Sequence, residues 1–144
     1  MSQPVEYHLS EGTLTLPEVA QDQSVTILRL PASRATLVLT RAWEVKAGDE
    51  QAFIDQQIAK VKRDMKKFSG DEPQESHFGP LPAREITMRF ETQGVRVAQK
   101  LLVAMLPTHL LAVTFSCSGE FDAAALAVWE GIRQGFTPLP GGEA

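Results

Sequence analysis

The chain has 144 residues, 43% of them hydrophobic and 22% charged, with a formal net charge of −4. This length suits one domain with a core of its own, needing neither metal nor disulfide, and the apolar content excludes intrinsic disorder. No Lys/Arg run exceeds two residues, which excludes nucleic acid as a partner, because its binding calls for a basic patch or stripe.

Met1 to Tyr7 has neither a basic nor an apolar region of the kind that opens a signal peptide, and it carries no lipid-attachment pattern. The apolar stretch Leu101 to Leu106 is broken by Pro107, and no window reaches the ~18 apolar residues of a membrane span. A cytoplasmic location without membrane insertion is expected. Val5, Tyr7 and Leu9 alternate, Ser10-Glu11-Gly12 turns, and Leu14 and Leu16 alternate up to Pro17, which reads as a strand pair. After a polar loop from Glu18 to Gln23, the β-rich runs Ser24–Leu30 and Thr36–Trp43 read as a hairpin.

The clearest helix follows over residues 49–68. Asp49 stands at its N-cap with Glu50 in the first turn. Ile54, Ile58, Val61, Met65 and Phe68 are spaced 4, 3, 4 and 3, which places them on one face. Lys60, Lys62, Arg63, Lys66 and Lys67 are offset by Asp49, Glu50, Asp55 and Asp64, so the polar side reads as a solvated face and not as a membrane-surface helix. Ser69-Gly70 stops the helix and a loop runs to Pro73.

A three-strand meander comes next: Glu85–Glu91, Val95–Leu106 and His109–Ser118, turned by Gln93-Gly94 and Pro107-Thr108. Asp122 caps a last helix with Phe121 before it, and Leu126, Trp129, Ile132 and Phe136 form its expected buried stripe. The segment 138–144 reads as a flexible tail behind one domain over 1–137. Strands joined by tight turns make an antiparallel sheet, and the class is α+β with two main helices.

Two-residue turns at 93–94 and 107–108 set a register. Thr92 faces Val95, Phe90 faces Val97, Met88 faces Gln99 and Ile86 faces Leu101; Val103 faces Ala112 and Leu102 faces Val113. One side of the sheet then carries Ile86, Met88, Phe90, Val97, Leu101, Val103, Met105, Leu110 and Ala112. The other carries Leu102, Ala104, Leu106, Leu111, Val113, Phe115 and Cys117. Sheets with one wet face alternate apolar with polar, and these do not. If both helices roof the same face, the other needs a partner; if they split, the chain closes on itself.

Chemistry-bearing patterns are missing. His8, His77 and His109 have no ligand spacing and read as surface or edge residues. Cys117, the only cysteine, lies in an apolar run and reads as a buried small hydrophobe. Gly131-x-x-x-Gly135 lies in a polar helix, and Asp71-Glu72 is a loop pair with nothing to raise a carboxyl pKa. No metal, cofactor or catalytic residue is nominated, and the chain reads as a non-enzyme.

Glu11-Gly12-Thr13-Leu14-Thr15-Leu16-Pro17, Asp22-Gln23-Ser24-Val25-Thr26-Ile27, Thr40-Arg41 ahead of the Glu50 to Phe68 helix, and the Trp129…Phe136 close together resemble DcrB-like domains. Within that group the chain most resembles the Eag chaperones of bacterial type VI secretion systems, over almost its whole length. The resemblance implies a Mog1/PsbP-like fold, a curved antiparallel sheet with helices. It also implies a homodimer whose concave apolar surface grips the N-terminal transmembrane segments of a secreted toxin of PAAR or Rhs type. Such a chaperone keeps those segments soluble in the cytoplasm and lets the toxin load on the VgrG spike. Envelope-located DcrB proteins carry an export and lipid signal, which argues against that branch here.

On this reading the client contacts are Val25, Ile27, Val38, Ile86, Met88, Val97, Leu101 and Val103, with Thr26, Thr40, Gln99 and Thr114 as polar groups for kinked backbone in the bound helix. Burying their apolar area is worth ~25 cal/mol per Å², and flexible methionines suit varied partners. The rival readings are a Mog1-type binding regulator of a small protein and a carrier of a small lipid.

Overall fold

Apolar residues on both sides of the long central strands require a cover on each side, and the chain supplies one helix per side. In the computed structural model, which describes residues 4–138, β1 (Val5–His8) and β2 (Thr13–Leu16) pair as a separate hairpin. The main sheet is built from β3 (Val25–Leu30), β4 (Ala35–Ala42), β5 (Lys66–Gly70), β6 (Gln74–Phe78), β7 (Leu81–Thr92), β8 (Val95–Met105) and β9 (Leu110–Ser118). Their order is β3-β4-β9-β8-β7-β5, with β6 also pairing β7. The helices are α1 (Glu50–Asp64) and α2 (Ala123–Gln134). All pairings are antiparallel, so the α+β class holds. The expected tail lies, from residue 139 on, outside the described residues.

The meander has the expected register, with Thr92 opposite Val95, Ile86 opposite Leu101 and Leu102 opposite Val113. Gln93 (φ 52) and Gly94 (φ 77) both take positive φ, which two-residue hairpin turns demand. Other expectations change. The helix stops at Asp64, and Met65 is extended (φ −117, ψ 161). Residues 66–70 then form β5, because the long β7 offers an edge that the last stretch of the expected helix can pair. Phe68 turns from that edge onto the core beneath α1, and Lys67 pairs with Glu91 at 3.3 Å. Residues 74–78, unassigned from sequence, form β6 on the other half of the β7 edge. Both edge strands are mostly polar, so neither shows the apolar alternation that marks a strand. Asp49 makes no side-chain cap; the Glu50 carboxylate instead accepts the Gly48 N–H at 2.6 Å.

The two helices split, which corrects the arrangement with both on one side. α1 packs through Ile54 on Ile86, Met88, Leu101, Val103, Leu110 and Ala112. α2 packs through Trp129 on Leu102, Ala104, Leu111, Val113 and Phe115. Asp122 caps α2 by accepting the Ala125 N–H at 2.8 Å. The α2 stripe runs through Ala125, Trp129, Ile132 and Phe136, leaving Leu126 exposed on its flank. The packing is reinforced by Glu85, whose carboxylate accepts Trp129 Nε1–H at 3.0 Å and the Ser76 hydroxyl at 2.9 Å. Lys100 and Arg133 stand 3.6 and 3.7 Å from the same carboxylate.

Gly79 closes this side. Its N–H donates to the Arg133 carbonyl at 2.6 Å, its φ is +58, and a Cβ there would stand 2.1 Å from the Phe136 carbonyl oxygen. Gly79→Ala should therefore cost at least about 2 kcal/mol, read as a lowered denaturant midpoint. Gly12→Ala, where a Cβ meets nothing within 4 Å, should leave the midpoint in place.

Candidate functional site

The α1 side of the sheet is only partly roofed. Side chains on that side form rows across the strands, fixed by the pairing: Val25–Thr40–Ala112–Val103, then Ile27–Val38–Thr114–Leu101, then Arg29–Thr36–Ser116–Gln99. Ser118–Val97 continues the series on β9 and β8. Each row runs from beneath α1 outward to the β3 edge. Along the second row exposure rises from 4% at Leu101 to 64% at Ile27.

The apolar residues singled out from sequence therefore share one face but not one environment. Ile86, Met88, Leu101 and Val103 are buried core beneath α1. Val25 (53% exposed) and Ile27 stand open, with Val38 half-buried opposite Ile27 and Val97 half-buried three strands away on β8. Thr40, Gln99 and Thr114 are half-buried on this same face, and Gln99 Nε2 donates to the Ser116 hydroxyl at 3.0 Å. Thr26 points to the opposite side, where its hydroxyl accepts from Arg41 at 2.8 Å. Sequence reasoning missed Arg29, Thr36 and Ser116. The signal lay in register, since they occupy the row next to Ile27 and Val38.

A second cluster tethers the N-terminal hairpin to the end of β4. The Asp22 carboxylate accepts the Tyr7 hydroxyl and, from Ser24, both the N–H at 2.9 Å and the hydroxyl at 2.5 Å. Trp43 Nε1 donates to the Asp22 carbonyl at 2.9 Å, and the Trp43 ring stacks on His109 at 4.2 Å. His109, expected at the surface, is buried by this stack. The Ser24 and Tyr7 donors hold the Asp22 carboxyl down at about 2. Burial first, then the charge of Arg41, lowers the His109 pKa.

Other chemistry is sparse. Cys117 is half-buried, and burial pushes its thiol pKa up, away from a reactive thiolate. Among the described residues no group of three or more His, Cys, Asp or Glu is placed to hold a metal. No described helix is long and apolar enough to cross a membrane.

The fold and this face define an antiparallel α+β sheet, roofed by one helix per side and left open toward one edge. The DcrB family model matches residues 11–135, so the chain belongs to the DcrB family. No curated protein matches it. Among solved structures it is similar to PA94 of Pseudomonas aeruginosa, described as a protein of unknown function and putative regulator. That likeness has 20% identity and a TM-score of 0.71, and spans 96% of this chain and 99% of the other. It is also similar to LpqN of Mycobacterium tuberculosis, described as involved in cell envelope biogenesis, at 12% identity and TM-score 0.50 over 92% of this chain and 88% of the other. At these identities both likenesses establish the fold alone.

The Asp22 tether predicts an acid transition. A carboxyl held below its ordinary 3.8 stabilises the folded state above that pH and loses this stabilisation as the pH falls toward about 2. Hydrogen exchange should show the β1–β2 amides losing protection over that window, with the step absent in Asp22→Asn.

Proposed function

We propose that this chain is a cytoplasmic chaperone and adaptor of a secreted toxin of PAAR or Rhs type. It shelters the toxin's N-terminal transmembrane segments on the open α1-side strip and releases them as the toxin loads on the VgrG spike. The observation that carries the reading is the exposure of Val25 and Ile27 next to half-buried Val38. These are apolar side chains that the chain's own helices leave uncovered. Each that a client fully covers contributes roughly half of the ~1.5–3 kcal/mol of a fully exposed side chain, because each is already partly covered. The chain belongs to the DcrB family, the group within which its sequence resembles the Eag chaperones.

The polar members suit this client too. Thr40, Thr114, Thr36 and Ser116 offer hydroxyls between the apolar positions, able to accept from or donate to irregular backbone in a bound segment. A free peptide group in an apolar setting costs a few kcal/mol unless bonded. From Val25 to Arg29 the strip runs only about 13 Å along the strand, whereas a 20-residue helix is about 30 Å long. One strip is too short for such a segment, and two copies of the chain can present two. A homodimer is therefore part of the proposal.

Ile27→Asp tests it. The residue is exposed, so the variant should melt within about 0.5 kcal/mol of wild type, yet a co-expressed client segment should move from the soluble fraction to the pellet. Leu101→Asp, in contrast, places a charge under α1 and should unfold the domain. Full client solubility with Ile27→Asp would show that the strip is not the client surface.

A further inference from the structure

The strip has a polarity along the strand that its apolar residues do not explain. At the end away from α1 it opens into a cleft of about 480 Å³ lined by Arg29, Arg34, Thr36, Val97, Ser116 and Ser118, together with the Leu30–Pro31 turn, Ala35 and Cys117. Arg29 is on the strip itself, one row beyond Ile27. Arg34 follows the turn Pro31–Ser33 in the left-handed conformation, φ 54. Both are exposed. Neither takes part in an ion pair among the described residues, nor do Arg84 and Arg41, the latter bonding Ser24 and Thr26 instead, whereas Arg63, Arg89, Arg96 and Arg133 each have a carboxylate. No residue lining the cleft is acidic, on a chain whose net charge is −4.

We propose that the segment seated on the strip carries an Asp or Glu at one end of its apolar stretch, and that Arg29 and Arg34 hold this carboxylate. The proposal rests on the strip being the client surface and adds the client's charge pattern and its direction. Guanidinium forks match a carboxylate with two parallel donors, and the Ser116, Ser118 and Thr36 hydroxyls are placed to complete its hydrogen bonds. The acidic end therefore lies over β3 residue Arg29 and the apolar stretch runs back toward Val25. A peptide fits better than a fatty acid. An acyl chain has no polar atom beyond its headgroup to use the hydroxyls of Thr40, Thr114 and Thr36, and pockets that hold small apolar ligands bury most of the ligand surface. This strip is an open face.

The test uses the whole chain and three fluorescein-labelled Leu/Ala/Ser peptides of about 20 residues, ending in Asp-Asp, Asn-Asn or Lys-Lys, read by anisotropy at low salt. The Asp-ended peptide should bind about tenfold more tightly than the Lys-ended one, and added salt should narrow the gap. In Arg29→Gln/Arg34→Asn the preference should fall to within about twofold; Asn is chosen because it tolerates the left-handed backbone at position 34. Equal binding of all three peptides to wild type, still lost in Ile27→Asp, overturns the arginine anchor and leaves the strip standing. Failure of every peptide to bind overturns the strip as a peptide surface and the anchor with it. Binding of oleate without any peptide does the same, in favour of a fatty acid.

Discussion

An α-helix with its side chains is about 10 Å wide, and six strands at ~4.8 Å spacing make a sheet about 25 Å across. One helix per face therefore cannot roof a face from edge to edge. The fifteen residues of α1 cover β7, β8 and β9 and reach β4 only at Ala42. Beyond that line the same pleated face continues with nothing above it. The gradient from Leu101 to Ile27 along one cross-strand row follows from this geometry. The apolar residues of β3 do not differ in kind from those of the core; they differ in how far they lie from the helix.

The α2 side meets the same limit and answers it differently. Where α2 stops covering, the face carries charge in place of hydrocarbon. Arg89 and Arg96 share Glu120 at 2.9 and 3.6 Å, and Lys100 donates to Thr87 at 2.8 Å. Toward β3, Arg41 bonds Thr26. Its ends are thus largely closed by paired polar groups, with Leu28 left exposed at the edge. On the α1 side the uncovered rows keep Val25, Ile27 and Val38, and the arginines that border them have no carboxylate. The asymmetry between the two faces singles out the α1 side as the one suited to an outside occupant.

Much of this was legible in the sequence, for physical reasons that also explain the rest. Turn chemistry at Gln93-Gly94 fixed the β7–β8 register, and a two-residue turn at Pro107-Thr108 did the same for β8–β9, because a hairpin loop of known length leaves no freedom to slip. Those turns fix the parity of the strip residues on β8 and β9; that Val25, Ile27 and Val38 share their face is set by the β4–β9 pairing, a contact between distant segments that no local pattern carries. What periodicity cannot reveal is which helix covers which face, since a strand apolar on both sides accepts a helix on either. Ile86, Met88, Leu101 and Val103 were therefore grouped with Ile27 on pattern, and the helix placement separates them. The strands β5 and β6 were hidden by their polar composition. His109 was misread because its burial depends on Trp43, a contact across 66 positions of sequence that no local pattern carries.

The mixture of residues on the strip bears on how it stays usable while empty. A bare edge strand flanked by unbroken aliphatic rows invites pairing with any other chain. Here the Val25 and Ile27 rows each place a Thr between apolar positions and the next row is wholly polar, and in the free state Gln99 already donates to Ser116. Those groups can be satisfied by water or by one another until a partner arrives, so the uncovered face carries no standing debt of unmade hydrogen bonds. The same hydroxyls weaken the strip as a sticky surface and sharpen it as a selective one. An occupant that is purely hydrocarbon leaves them desolvated and unpaired, at about 1–3 kcal/mol each. One that presents polar backbone or small polar side chains at the matching positions loses nothing. Selectivity on this face thus comes less from the valines and isoleucine than from the polar groups set between them.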